Sequence, residues 1–411
     1  MNKNIMTDNT NCETRSSIKL GLYLFALFFV SYESIVYLAN DMIMPGMLQV
    51  TAQFNVGLEY VASSLSLFLL GSTIIQLFLG PAADRFGKRR IILIGNCLFL
   101  IFTILIAISS NIQEFMLGRL LQGSGCAFVA IGYAVVHENF NDRDAVRLIA
   151  IMGNITILAP LLGPVVGGVI INYYDWRAVF IIVALVSLVT FTGLAKFTPK
   201  SNVTHKKIRI SNVFLEYYSI LKNKKFIFGT TAVSLALIPM IAWIGLAPVL
   251  TMKTAGLSFS MYLICQAIAL SGLATACVVI QFIAGKLSFF SIMAISTALF
   301  FLGFLLSVFF TNSIIFISIN FFISTFGLGL YNGMAIRSII TSGKFSKNMT
   351  MSLFVFFESI AMAGGIELVN VVCTIYNFSL KSFTITNFLL SIVTVFFMIS
   401  FALMNQERGW N

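Results

Sequence analysis

Five ionisable side chains lie where none is expected. Glu33, Asp41, Arg119, Glu358 and Glu367 each interrupt a long apolar run in this chain of 411 residues. A charge at the centre of a membrane helix costs at least about 2.5–3.5 kcal/mol on insertion scales, so each is a functional candidate by default. Glu33 and Asp41 are eight residues apart. In a helix that spacing is a rise of about 12 Å and a net turn of about 80°, so the two carboxylates look into one broad sector at two depths. Tyr37 and Asn40 share that sector. A carboxylate in a low-dielectric cavity is easier to protonate near neutral pH. Such a group can take a proton at one face of a membrane and lose it at the other; when ionised, it attracts a lipophilic cation. The alternative is structural: Asp41 ends its helix beside Pro45-Gly46, and Glu33 serves as an ion-pair partner.

Arg119 is the single basic residue deep in a run, and it needs a carboxylate, backbone carbonyls or water. Gln122 and Gly123 follow it, and small residues let a neighbouring backbone come close. Glu358 and Glu367 are nine residues apart in one late run, with Glu358 the deeper. They are candidates for additional proton sites or for structural roles.

The elements that must hold these groups follow from hydropathy. The chain is 58% hydrophobic and 10% charged, with a mean hydropathy of +0.95, against roughly 25% charged residues in a soluble domain. A membrane helix needs about 20 apolar residues, and the runs here are too long and unbroken for the alternating strands of an outer-membrane barrel. Twelve spans are expected, near 20–44, 58–80, 90–110, 113–137, 146–171, 178–197, 226–250, 260–284, 288–310, 313–336, 349–373 and 383–404. The basic residues test that map. With both termini cytoplasmic, 22 of the 26 Lys and Arg fall on the inner side, three (Arg177, Lys253, Lys381) fall outside, and Arg119 is within a span. This asymmetry fits the positive-inside rule and requires an even number of spans. The net charge of +11 therefore reports topology and contact with anionic membrane lipid; nucleic acid is not expected as a partner, because the basic residues are scattered over separate loops.

The domain reading is a cytoplasmic tail (1–19), a first six-helix bundle (20–197), a cytoplasmic linker (198–225), a second bundle (226–404) and a short cytoplasmic tail (405–411). Six cysteines (Cys12, Cys97, Cys126, Cys265, Cys277, Cys373) form no CxxC pair and are read as small buried hydrophobes rather than ligands or disulfides. His137-Glu138 lacks the second histidine of a zinc-protease helix, because position 141 is Asn. No metal site and no catalytic residue is expected.

Several segments carry a resemblance. Gly80-Pro81-Ala82-Ala83-Asp84-Arg85-Phe86-Gly87-Lys88-Arg89 after span 2 resembles the loop signature of the major facilitator superfamily, and Arg119-Leu120-Leu121-Gln122-Gly123 resembles its buried-arginine motif. Gly163-Pro164-Val165-Val166-Gly167-Gly168, preceded by Pro160, is similar to the span 5 signature of its drug/proton antiporters. Tyr32-Glu33 with Asn40-Asp41-Met42, Pro239 with Ala242-Trp243-Ile244, and Gly365-Ile366-Glu367 resemble the MdfA-type multidrug/proton antiporters of bacterial inner membranes, and the likeness covers essentially the whole chain. It implies an all-α membrane fold of two six-helix bundles that rock around a midplane cavity, driven by the proton gradient with no cofactor. It implies that Glu33 and Asp41 carry protons and contact cationic drugs, and that Arg119 responds to their charge. Tyr37, Asn40, Met152, Asn154, Met240, Ile241 and Ile244 match positions that line the cavity, with plain helix packing as the alternative. Asp84 would act as a conformational latch, and Glu138 and Asp142 are candidate partners for the basic cluster Arg85–Arg90. Pro160, Gly163 and Pro164 would bend span 5. Glu358 lies outside the family pattern.

The expected function is a secondary antiporter that exports lipophilic compounds, cationic and neutral, in exchange for protons. It would work as a monomer in the bacterial inner membrane. The competing reading is a proton-coupled uptake carrier for one metabolite. A polar-solute importer should present charged or amide groups from both halves, and spans 7–10 are expected to offer almost none. An intramembrane enzyme would need a constellation that two histidines, His137 and His205, do not supply.

Overall fold

A computed structural model describes the backbone of residues 3–200, 210–283, 285–343 and 345–406. Side chains are described from Leu20 onward, apart from Ile74, Asp84, Val146, Asn154, Thr156, Ile157, 210–213 and Asn348. The side chains of Asp84 and Asn154, and the surroundings of Gly80, therefore lie outside the described residues, as do 201–209 of the expected linker and 407–411 of the final tail.

The described chain is helical, and its long helices follow the apolar runs. They are α1 (Lys3–Met42), α2 (Glu59–Phe86), α3 (Lys88–Ala107), α4 (Ile112–Asn139, broken at Phe128), α5 (Asp142–Tyr173), α6 (Arg177–Phe197), α7 (Lys224–Pro248), α8 (Phe259–Ile283), α9 (Phe289–Phe309), α10 (Ile314–Ile340), α11 (Lys347–Ile375) and α12 (Leu380–Leu403). Eleven are long and apolar enough to cross a membrane as single helices; the twelfth crossing, α5, is bent by 53° between Asp142–Gly153 and Leu158–Tyr173. The bend has a local cause. Pro160 has no N–H to give to the carbonyl four residues back, and its ring crowds that carbonyl, so the helix opens in the turn before it.

Polar residues punctuate the spans. Asn111 caps α4 by accepting from the Glu114 amide at 2.9 Å, Asn141 caps α5 through Asp144, and Asn223 caps α7 through Lys225 and Phe226. Each side-chain oxygen satisfies an amide that the first helical turn leaves unpaired, which matters most near a membrane where water cannot serve. Gly87 joins α2 to α3 at φ 89°, a backbone conformation that costs a side-chain-bearing residue and explains glycine at that position.

The packing repeats after six helices. In the first six, α1 packs on α5 and α6, α2 on α4, and α3 on α4 and α6; in the second six, α7 packs on α11 and α12, α8 on α10, and α9 on α10 and α12. The two sets meet through α2 with α11 and α5 with α8, pairs that are themselves related by the same shift of six. Their described hydrogen bonds lie towards the face away from the basic loops. Ser66 donates to the Ala363 carbonyl at 2.9 Å, and Asn370 donates to the Glu59 carbonyl at 2.8 Å and to Ser63 at 3.2 Å. At the basic face a short helix, Ile210–Leu221, bridges the sets: Tyr217 donates to the Leu77 carbonyl at 3.1 Å, and Glu216 accepts from the Ser346 amide at 3.0 Å. Burial, with Glu216 alongside, pushes the Tyr217 phenol above its usual value of 10.0, so it remains a donor.

Candidate functional site

Close helix packing fixes the site's position. A Cβ on Gly167 would lie 1.9 Å from the Met42 carbonyl oxygen, and one on Gly163 would lie 2.6 Å from Asp41 Cβ. The span 5 glycines thus let α5 run against the last turn of α1, beside Asp41. Gly168 meets the Phe259 ring of α8 in the same way. On the other side of the bundle, Gly71 and Gly123 each face a carbonyl of the opposing helix at 1.9 Å, from Leu120 and Phe68, so α2 and α4 lie backbone to backbone beside Arg119.

The three ionisable residues of the first set are enclosed: Glu33 and Arg119 are fully buried and Asp41 is 5% exposed. Arg119 Nε donates to Ser64 Oγ at 3.1 Å, Nη1 to Gln122 Oε1 at 2.7 Å, and Nη2 to Asn40 Oδ1 at 2.7 Å. Its guanidinium carbon lies 4.7 Å from the centre of the Phe68 ring. Gln122 is held in turn by donating to Thr103 at 2.8 Å. Among the described residues no carboxylate lies within ion-pair distance of Arg119. Its described partners are three neutral side chains and a ring, contributed by α1, α2 and α4 itself.

Asn40 makes the connection. While its Oδ1 accepts from Arg119, its Nδ2 donates to Asp41 Oδ1 at 3.3 Å, so cation and carboxylate communicate through one amide. Asp41 sits in the last turn of α1, just before the Met44–Gly46 turn, so it is both a helix-end residue and a neighbour of Arg119. Glu33 is separate. Its Oε1 accepts from Tyr133 of α4 at 2.8 Å, and its Oε2 has no partner among the described residues. Tyr133 went unremarked in the sequence; a lone phenol in an apolar span was the available signal.

Of the expected cavity residues, Met152, Met240 and Ile244 are buried in packed helix interfaces, whereas Tyr37, Asn40 and Ile241 are partly accessible. Glu367 accepts from Asn370 at 3.3 Å where α11 meets α2, so it belongs to the contact between the sets. In the loop signature Lys88 pairs with Glu138, Arg89 donates to the Ala195 carbonyl, and Arg85 lies 5.2 Å from the Phe86 ring centre. One expectation is corrected. Spans 7–10 carry buried amides after all: among the described residues, both side-chain polar atoms of Gln266 and the Asn320 amide nitrogen have no partner, and neither do the hydroxyls of Tyr262 and Tyr331. Counting charges alone overlooked them. Tyr262 is near enough to Asp41 to interact with it electrostatically.

The sequence profile of the Major Facilitator Superfamily matches residues 30–366. The chain belongs to that superfamily. It is 30% identical over 354 residues to the multidrug transporter MdfA of Yersinia pestis bv. Antiqua (strain Angola), covering 85% of this chain and 87% of that one. Over a shorter stretch of 265 residues it is 36% identical to the chloramphenicol resistance protein CraA of Acinetobacter baumannii, covering 64% of this chain and 62% of that one. Among solved structures, a D-xylose–proton symporter superposes with a TM-score of 0.71 at 16% identity, covering 90% of this chain and 97% of that one. A bacterial homologue of the human lysosomal transporter Spinster, inward-facing and unoccupied, gives 0.68 at 14% identity, covering 93% and 95%. At such identities these two report the shared fold, and the sequence relatives place the chain with the multidrug transporters of the superfamily.

Proposed function

We propose that this protein is a secondary multidrug efflux transporter of the bacterial inner membrane, with both termini cytoplasmic, that exchanges lipophilic cationic and neutral compounds for protons. The observation that carries the reading is the buried pair on α1. Among the described residues Glu33 keeps one carboxylate oxygen without a donor, and Asp41 is tied through Asn40 to Arg119. The free oxygen can take a proton or, when ionised, pair with a cation, and a change of charge on Asp41 reaches Arg119 through one amide. Neutral compounds would use the unpaired hydroxyl of Tyr262 and the amide of Gln266, which offer hydrogen bonds without charge.

In this reading 20–197 and 226–404 move as two bodies joined by 198–225, and a single chain contains the whole path. In the same reading the contacts near Glu59 and Asn370 hold the two bodies together on the outer side. Alternating access then requires those contacts to part while the basic face closes. Lys88–Glu138 and Arg89–Ala195 fasten the loop signature to the first body, and Asp84 is the residue assigned to latch it. The membrane potential contributes about 2.3 kcal/mol per charge moved through 100 mV, which is sufficient to drive export when more protons enter than cationic charges leave.

Proton release tests the assignment. Purified protein in weakly buffered detergent is titrated with tetraphenylphosphonium and with a neutral drug, beside Glu33→Gln and Asp41→Asn. Release by the wild type that diminishes in either variant supports competition on α1. Confirmed binding with no release would replace the exchange mechanism by one in which proton and substrate bind together.

A further inference from the structure

The lipid-facing surface of the second set holds a slot that the transport site does not use. It runs between α9 and α12 and has a volume of about 290 Å³. Ala294 and Ala298 of α9 face Val395 and Ile399 of α12 across it, and Phe290 and Phe301 stand at its two ends. Ala294, Ala298 and Ile399 are exposed, so the slot opens sideways, towards the lipid around a membrane protein. Thr297 also lines it, but its hydroxyl donates to the Met293 carbonyl at 2.8 Å, which leaves the walls apolar.

Depth and width identify what fits. Phe290 and Phe301 are eleven residues apart on one helix, about 16 Å, or half the thickness of a hydrocarbon core. Phe290 is the second residue of α9, so the slot starts where that helix enters the membrane from the basic face. At the far end the Phe301 ring centre lies 5.8 Å from that of Phe388 of α12, and the pair closes the slot at mid-depth. The slot is therefore one leaflet deep. Spread over that length, its volume gives a mean cross-section on the order of 20 Å², about a quarter of that of a helix 10 Å across. A single polymethylene chain enters such a space; a helix of a second copy does not.

Charge at the mouth selects the lipid. Lys286 lies four residues before Phe290, at most about 14 Å of chain away, in the loop that turns at Gly285 with φ 82°. It is exposed and has no ion-pair partner among the described residues. From 226 to 406 the acidic residues are Glu358 and Glu367, both on α11; Glu358 stands eleven residues in from Lys347, and Glu367 lies at the contact with α2. Within that stretch, then, no carboxylate stands at the basic face to compete for Lys286. A lysine stem carries its ammonium to the head-group level, where an anionic lipid offers a phosphate.

We propose that the slot between α9 and α12 holds one acyl chain of an anionic phospholipid whose phosphate pairs with Lys286. Net negative charge matters, because a zwitterionic head group would bring an ammonium to a face that is already cationic. Both walls belong to the second set, so the lipid stabilises that set without bridging it to the first. The inference is independent of which compounds are exported; the orientation proposed above only makes the leaflet the cytoplasmic one.

The test uses purified full-length protein and a phosphatidylglycerol that carries a photoreactive diazirine in its acyl chain. Crosslinks to 290–301 and 395–402 are mapped, then competed with unlabelled phosphatidylglycerol or with phosphatidylcholine of the same chains. Both segments should be labelled, with phosphatidylglycerol competing about fivefold better, the value of one lysine at an anionic head group. Lys286→Gln should make the two competitors equal, whereas Lys224→Gln, at an exposed lysine on α7, should preserve the difference. Ala298→Phe fills the slot and should reduce labelling at least fivefold; Leu302→Phe, at an exposed residue outside the slot, should not. Lys286→Gln alters only a surface residue, so it decides the matter even if Ala298→Phe does not fold. Equal competition by the two lipids in the wild type, or labelling of wild-type strength in Ala298→Phe, overturns the proposal. So does a dimer in light scattering that Ala298→Phe dissociates, because the slot then belongs to a second copy.

Discussion

Replacing Gly167 by alanine tests the link between the span 5 signature and the carboxylate it faces. The added Cβ would lie 1.9 Å from the Met42 carbonyl oxygen and 2.6 Å from its carbonyl carbon, whereas ordinary contact begins at 3.4 Å. The obstacle is backbone, so no rotamer change relieves it; α1 and α5 must separate by about 1.5 Å or bend. Overpacking of this kind costs about 1–3 kcal/mol, and the lower backbone entropy of alanine in the unfolded chain returns about 0.4–1 kcal/mol. A net loss of about 1–2 kcal/mol is expected. Gly364→Ala is the control, because a Cβ there meets nothing within 4 Å, and it should be neutral or slightly stabilising. Both variants would be purified in the same detergent and compared by thermal unfolding and by tetraphenylphosphonium binding. Gly167→Ala should unfold a few degrees lower and bind about tenfold more weakly, because the displaced carbonyl is adjacent to Asp41. A Gly167→Ala protein with the midpoint and affinity of Gly364→Ala would refute the claim that this glycine sets the position of Asp41.

Other perturbations address the remaining parts. Asn40→Ala removes the amide between Arg119 and Asp41; the protein should insert normally, but the pH dependence of tetraphenylphosphonium binding should shift, and an unchanged profile would remove Asn40 as the connection. Arg119→Lys keeps the charge but gives up the fork that reaches three side chains, losing two bonds of about 1.5 kcal/mol or more each. A lower thermal midpoint with impaired proton release is expected, and wild-type behaviour in both would show that a point charge suffices. Asn370→Asp sets a carboxylate against the Glu59 carbonyl and Glu367, at a cost of about 1–3 kcal/mol to the described conformation, a 5- to 150-fold shift in population. Cysteine labelling near residue 59 from the outer side should become faster, and no change would separate this contact from gating. Tyr217→Phe removes a hydrogen bond to the Leu77 carbonyl worth about 1 kcal/mol, and amide exchange across 210–221 should rise about fivefold.

Different physical signals made different parts of this molecule legible in its sequence. Spans were readable because hydrocarbon admits so few polar groups, and the even number of crossings followed from the placement of Lys and Arg. The bend in α5 was readable because a proline acts on its own helix. Glu33, Asp41 and Arg119 were conspicuous because each is costly where it stands. Their partners were not, since partnership is a property of neighbouring helices. Ser64 lies 55 residues from Arg119 and Asn40 lies 79 residues away, and Tyr133 reaches Glu33 across 100 residues. Helix periodicity gives depth and face, but not which other helix stands opposite. The same limit explains the oversight in spans 7–10: a neutral amide such as Gln266 is cheap enough to escape a count of charges, yet buried with no partner among the described residues it still carries a desolvation cost. The expected linker shows the converse case. Its polar composition suggested a cytoplasmic linker, and within it the turns of Ile210–Leu221 bury Tyr217 and Ile220 and join both sets of helices. The conspicuous groups thus stand on α1 and α4, whereas α7, α8 and α10 carry quieter ones, buried hydroxyls and amides whose placement a count of charges does not register.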